Sequence, residues 1–203
     1  MARRILILFA HPVAERSRVG RRLLDAAAEL GGVTVHDLYE RYPRFDIDVP
    51  REQAALREHD VVVWHHPFYW YAAPALLKEW VDLVLEHGWA YGEGGTALAG
   101  KLALSAVTTG GPASAYAPGG YNRFSMRTLL SPWDQTAALC GMRYLAPFVV
   151  HGSLRVTGPE ELAPYATDYV RLLAALRDDE LDVDAACARS IINDGPIDEL
   201  VRS

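Results

Sequence analysis

Three short stretches of the sequence carry side chains suited to holding a flat, negatively charged ligand. His11, Arg16, Ser17 and Arg18 place an imidazole, two guanidiniums and a hydroxyl just before a helical pattern. The unpaired N–H groups and dipole at a helix N-terminus favour a phosphate there. Phe68-Tyr69-Trp70-Tyr71 sets four aromatics in a row between Pro67 and Pro74, a platform for a conjugated ring. Thr108-Thr109-Gly110-Gly111 adds hydroxyls and amide groups that a ligand can approach closely, because glycine has no side chain in the way. Each stretch also has a plainer use. Ser17 suits an N-cap, His11 a solvated loop, the aromatics a core lid or dimer contact, and the glycine pair a turn.

What gives the three stretches joint meaning is the order of elements around them. Arg4 to Phe9 reads as a buried strand, followed by a loop from Ala10 to Arg16. Val19, Leu23, Leu24, Ala27 and Leu30 then keep helical spacing until Gly31-Gly32. Val33 to Leu38 is a second strand, Tyr39 to Pro50 an irregular loop, and Arg51 to Glu58 a short helix. The β-branched run Val61-Val62-Val63 opens a third strand that leads into the aromatic loop. After Pro74 the apolar pairs 76/77, 80/81 and 84/85 line one helical face. A glycine-rich connection from Gly88 to Gly100 precedes a fourth strand, Lys101 to Val107. A long loop runs to about Phe124, and Ser125 to Cys140 is a helix interrupted at Pro132. Arg143 to Val150 is the fifth strand and Glu160 to Leu176 the last helix.

Strands alternating with helices predict an α/β fold with a parallel sheet covered on both faces. Five such units fit the flavodoxin-like strand order 2-1-3-4-5, in which ligands bind at the carboxyl ends of the strands. The three stretches follow the first, third and fourth strands, so they should meet at that rim. A phosphate seat, an aromatic wall and a row of amide donors are what a flavin mononucleotide requires.

Composition narrows the alternatives. The 203 residues are 50% hydrophobic and 23% charged, which suits one globular domain. A net charge of −6 disfavours nucleic acid as a partner. The apolar run after Arg3-Arg4 is too short for a signal peptide, and no run reaches the length of a membrane span. Cys140 and Cys187 form no CxxC pair, which suits a reduced, cytoplasmic protein. No G-x-G-x-x-G follows the first strand and no G-x-S-x-G elbow is present. His65-His66 lacks companions at metal-ligand spacing, so no metal site is expected. Ala10-His11 and His65-His66 stand where a receiver domain needs carboxylates, so that reading fails too.

At four places the sequence resembles a known family. They are Ala10-His11-Pro12, the run from His66 to Tyr71 with Pro74-Ala75-Leu76-Leu77-Lys78, His87-Gly88-Trp89-Ala90-Tyr91-Gly92, and Thr108-Thr109-Gly110-Gly111. These resemble the flavodoxin-like NAD(P)H:quinone oxidoreductases, and within them the ancillary subunits of glutathione-regulated potassium-efflux systems. The resemblance runs from about Arg4 to Leu176. It implies a flavin-binding domain over residues 1–176 and a tail, 177–203, that is partly helical or wraps a partner subunit.

By that resemblance, His11, Ser17, Arg18, Val19 and Gly20 would hold the phosphate and ribityl chain of FMN, with FAD the alternative cofactor. Phe68, Tyr69, Trp70 and Tyr71 would contact the isoalloxazine, and Thr108, Thr109, Gly110 and Gly111 would border its redox edge. Relatives often carry asparagine where Gly20 stands. Tyr116 has the spacing of an active-site tyrosine of diaphorases. The histidine near it there has no counterpart at the matching position, where Tyr121 and Asn122 stand. The implied activity is ping-pong hydride transfer from NAD(P)H through flavin N5 to a quinone, in a homodimer with its sites at the subunit seam. Two other roles stay open. One is a regulatory subunit of a potassium–proton antiporter, docked at the inner face of the membrane. The other is a one-electron carrier, although Ala10 to Arg16 lacks the Ser/Thr-rich phosphate loop of true flavodoxins.

Overall fold

The computed structural model describes residues 2–156 and 158–202; Met1, Thr157 and Ser203 lie outside the described residues. The β-branched and aliphatic runs form the parallel strands β1 (Ile5–Phe9), β2 (Val33–Asp37), β3 (Val61–Pro67) and β4 (Leu102–Thr108). Their order is β2-β1-β3-β4, with β5 (Arg143–Tyr144) and β6 (Phe148–Val150) both pairing in parallel with β4. This is the expected 2-1-3-4-5 arrangement, except that the fifth strand is split in two. Pro147 has no N–H to give to the ladder, and the interrupted stretch bonds elsewhere. Ala146 N–H donates to the Ala186 carbonyl at 3.2 Å.

Alternation along β1 sends Ile5, Ile7 and Phe9 to one core, and Leu6, Leu8 and Ala10 to the other. The first core is covered by α1 (Arg18–Ala28), α7 (Pro159–Arg177) and α8 (Val183–Ala188). The second packs against α2 (Leu38–Arg41), α3 (Val49–Glu58), α4 (Ala75–Val84), α5 (Met126–Leu129) and α6 (Ser131–Leu139). The helical pattern over Ser125 to Cys140 thus yields two helices that meet at Leu130, just before Pro132.

Two segments are more ordered than their sequence suggests. The stretch read as an irregular loop contains α2, and Asp48 caps α3 by accepting from Arg51 N–H at 3.1 Å. The chain beyond Arg177 buries Leu181, Val183, Ala186, Ile192, Ile197 and Leu200 in the first core. Asn193 also pairs with Val149 in both directions at 2.9 Å, through its amide oxygen and nitrogen.

On the opposite face Glu52 is fully buried and ties four elements together. Its carboxylate accepts from Tyr42 Oη at 2.7 Å and Trp80 Nε1 at 3.0 Å, and meets His36 Nδ1 at 3.0 Å and Arg41 at 3.6 Å. Burial alone would raise its pKa. The bonds from His36, Tyr42 and Trp80, with the charge of His36, outweigh burial and hold the carboxyl below its ordinary value. A group depressed in the folded state stabilises above its unfolded pKa and loses that contribution as pH falls through the folded value. Glu52→Gln should therefore lower stability at pH 7 by about 3 kcal/mol and flatten the acid limb of the pH–stability curve. Urea titrations at neutral and acid pH test this; an unchanged acid limb would remove Glu52 from the account.

Candidate functional site: a cleft at the carboxyl rim

Parallel register sets the site. Phe9 pairs with His65, and Pro67 pairs with Thr108, so the three strands deliver their loops to one edge. The loop after β1 makes a short 3-10 turn, Ala14–Arg16, and enters α1. His11 Nδ1 accepts from Val13 N–H at 3.2 Å, which leaves the ring proton on Nε2, facing Tyr69 Oη at 3.4 Å. Burial lowers the pKa of His11, only partly countered by the Val13 bond and by Asp37 and Glu15, so the ring is neutral at pH 7. The N–H groups of Arg18, Val19 and Gly20 have no backbone partner among the described residues, as the first turn of a helix dictates. Arg16 and Arg18 are exposed beside them.

Ser17 departs from the N-cap reading. It occupies the position before α1, but its side chain makes no capping bond. It is buried, and its Oγ would lie 2.6 Å from a Cβ built on Gly20. The hydroxyl therefore turns in over the glycine rather than along the helix.

The aromatic stretch is a tight turn. Tyr69 and Ala72 exchange backbone hydrogen bonds of 3.1 and 2.9 Å, and the two residues between them, Trp70 and Tyr71, have φ of +49° and +63°. Two consecutive positive φ values mark a type I′ turn, a conformation usually left to Asn-Gly. A bulky side chain there is strained. The turn holds Trp70 93% exposed, while Phe68 stays buried and its N–H donates to the Thr108 carbonyl at 2.8 Å. The N–H groups of Trp70 and Tyr71 have no partner among the described residues.

Across the cleft, Thr109 Oγ1 accepts from Gly111 N–H at 3.3 Å and meets Tyr116 Oη at 2.5 Å. Tyr116 sits on a 3-10 turn, Ala113–Tyr116, edge-on to Phe68 with ring centroids 6.3 Å apart. Tyr71 Oη donates to Asn122 Oδ1 at 3.2 Å, closing the far side.

All fourteen residues given a role by the family resemblance line two adjoining cavities, and Arg16 lines the first of them too. His11, Ser17, Arg18, Val19 and Gly20 lie in the first, of about 280 Å³, with Tyr69 and Thr108. Trp70, Tyr71, Thr109, Gly111 and Tyr116 lie in the second, of about 250 Å³. Phe68 and Gly110 border both. Larger grooves exist, but the one of about 460 Å³ is walled by charged residues, among them Arg21, Asp25 and Arg41, that already form ion pairs.

The sequence did not reveal the contribution of the loop after β6. Ser153 and Leu154 complete the first cavity, and His151 stacks beside Tyr116 with ring centroids 5.3 Å apart. A histidine thus does neighbour Tyr116, supplied by another loop. Burial lowers the pKa of His151, against the charge of Asp194. Only tertiary pairing brings this loop in, through Ser153 N–H to the Thr109 carbonyl and Gly152 N–H to that of Gly111.

A parallel five-position sheet with a helix N-terminus and an aromatic turn at its carboxyl rim defines a flavodoxin-like protein. The profile described as flavodoxin-like fold matches residues 3–173, and the chain belongs to that family. A potassium-efflux system ancillary protein KefG of Enterobacter sp. (strain 638), described as glutathione-regulated, is 48% identical over 172 residues, covering 85% of this chain and 93% of its own. Among solved structures, general stress protein 14 of Treponema denticola, in complex with FMN, is 40% identical with a TM-score of 0.80, covering 85% of this chain and 99% of its own. An NADPH-quinone reductase of P. pentosaceus is 32% identical with a TM-score of 0.75, covering 83% and 96%.

The strained turn gives a direct test. Trp70→Gly removes a side chain that packs on almost nothing and relieves its positive φ, so the fold should gain about 1 kcal/mol. The urea midpoint should rise at constant slope; a lower midpoint would mean that the turn carries no strain.

Proposed function

We propose that the chain is an FMN-dependent NAD(P)H:quinone oxidoreductase. One observation carries the reading: a helix N-terminus, an outward aromatic turn and a glycine-lined strand end share a single cleft. The donor set suits a flavin mononucleotide. Unpaired N–H groups of α1 with Arg16 and Arg18 would hold the phosphate. His11 and Tyr69 would steady the ribityl chain, and Phe68 with the Trp70-Tyr71 turn would contact the ring system. Thr108, Thr109, Gly110 and Gly111 would border its redox edge. Bound there, a flavin would supply the two-electron hydride chemistry between NAD(P)H and a quinone, in ping-pong alternation. Tyr116, fixed by Thr109 and flanked by His151, would hold the proton that the reduced quinone oxygen needs.

Exposed Trp70, Tyr121 and Phe124 lie on the two loops that follow β3 and β4, which supports a homodimer that covers them. The KefG relatives support a second reading, an ancillary subunit docked on a potassium-efflux antiporter at the cytoplasmic face of the membrane. Among the described residues no helix is long and apolar enough to cross a membrane. In that role the flavin would serve binding, and turnover would be incidental. Co-purification with the antiporter would support it, and quinone reduction too slow to measure would favour it over the enzyme.

Two experiments test the enzyme reading. The purified protein should be yellow or become so on titration with FMN, and Trp70→Ala should weaken flavin retention more than Tyr39→Ala. Equal retention would take the aromatic turn out of the site. Tyr116→Phe should keep the flavin but lower quinone turnover by at least about tenfold; unchanged steady-state kinetics would exclude Tyr116 from proton supply.

A further inference from the structure

His65 is 1% exposed, at the end of β3 and directly behind the phosphate end of the cleft. Its ring lies edge-on to Phe9 and Tyr169, and Tyr169 Oη stands 3.3 Å from His65 Nδ1. Tyr169 is fully buried and has no other hydrogen-bond partner among the described residues. Its proton must therefore go to Nδ1, because the opposite assignment would strand the phenol proton in the core. The imidazole proton then sits on Nε2. Burial above all, with repulsion from His66 and His11 in acid where they too are protonated, pushes the His65 pKa down to about 3, so near neutral pH the ring carries one proton only.

That Nε2–H is buried and has no partner among the described residues. It borders the space that Gly20 leaves open: a Cβ at Gly20 would lie 3.6 Å from His65 Nε2 and 2.6 Å from Ser17 Oγ. The Ser17 hydroxyl is the other polar group on this gap, and it too makes no side-chain hydrogen bond among the described residues. A hydroxyl can accept one bond while donating another. Ser17 also lines the cavity.

We propose that His65 is a positioning residue for the cofactor phosphate: its Nε2–H, across the gap at Gly20, directs the Ser17 hydroxyl to donate into the phosphate seat. Of this chain the Tyr169–His65 bond is already formed at 3.3 Å; a donor at His65 Nε2 would then turn Ser17 Oγ to donate to the ligand, giving the unpartnered imidazole proton an acceptor. Glycine at position 20 is what the arrangement requires. Any side chain there would displace the Ser17 hydroxyl. This inference rests on the flavin reading, since it names how this chain grips the phosphate of that cofactor.

The test compares FMN with riboflavin, which lacks the phosphate, by calorimetric titration of the apoprotein. Gly20→Ala and His65→Ala should each weaken FMN by about tenfold, the worth of one charge-assisted hydrogen bond, and leave riboflavin affinity unchanged. His65→Gln, which keeps a neutral N–H donor, should restore most of the FMN affinity. In a Ser17→Ala background, His65→Ala should have no further effect. Parallel loss of FMN and riboflavin, or additive effects of the Ser17 and His65 substitutions, would overturn the proposal. Should His65→Ala fail to fold, Gly20→Ala carries the same comparison. Wild-type protein that binds neither flavin would overturn the flavin reading and this inference with it, whereas normal FMN binding in every variant would overturn this inference alone.

Discussion

The in-register pairing of β1, β3 and β4 is the constraint from which the site follows. Ile5 aligns with Val61, and Val61 with Leu102, so the three strands start level and their chains leave the sheet on one side. β3 and β4 run two residues beyond β1, to Pro67 and Thr108. The aromatic turn and the Thr-Thr-Gly-Gly segment therefore stand above the β1 loop rather than beside it. A step of one residue in any pairing would turn His65 from the α1 side to the opposite face and carry the aromatic turn with it. Buried aliphatic side chains on both faces of the sheet make such a slip too costly to occur.

On that rigid base the rim concentrates conformations and groups that a purely structural loop would avoid. Trp70 and Tyr71 occupy left-handed backbone, an exposed indole stands clear of the surface, and neutral histidines sit where water cannot reach them. Burial pushes His65 to about 3 and His66 to about 4, so neither adds charge near neutral pH. The seat's positive potential must then come from the α1 terminus and the flanking arginines alone. The Glu52 cluster is the contrast. It is equally buried and equally polar, but both carboxylate oxygens already accept hydrogen bonds, from Tyr42 and from His36 and Trp80, so it fastens helices.

Much of this was legible in the sequence because it is local. Runs such as Val61-Val62-Val63 and the four-residue recurrence after Pro74 report buried strand and amphipathic helix directly. Parallel topology then places the three loops together without further information. What escaped notice depends on distant contacts. Arg143 to Val150 reads as one strand until Pro147 is seen to leave a gap that α8 fills. Ser17 reads as a cap because Ser before a helix usually is one; its inward turn depends on Gly20 and on the ring of His65, forty-eight positions away by their numbering. Nothing in Trp-Tyr suggests a type I′ turn, since propensity argues against it. His151 and Ser153 carry no local mark, and enter the site only because β6 lies beside β4.

That last pairing explains why the segment after Arg177 belongs to the functional account. β6 is an edge strand of three residues, too short to hold its own register against β4. Asn193 supplies the missing neighbour by exchanging both amide bonds with Val149, and Ile192 N–H donates to the Pro147 carbonyl. The loop leaving β6 is thereby held where Gly152 and Ser153 can bond the carbonyls of Gly111 and Thr109. Those bonds in turn fix the hydroxyl on which Tyr116 rests. Hydrogen bonds at Val149 and, three residues on, at Gly152 and Ser153 thus tie the segment around Asn193 to the Thr109 side of the cleft. Of the residues involved, Ile192 and Asn193 lie beyond those matched by the family profile, whereas Val149, Gly152, Thr109 and Gly111 lie within them.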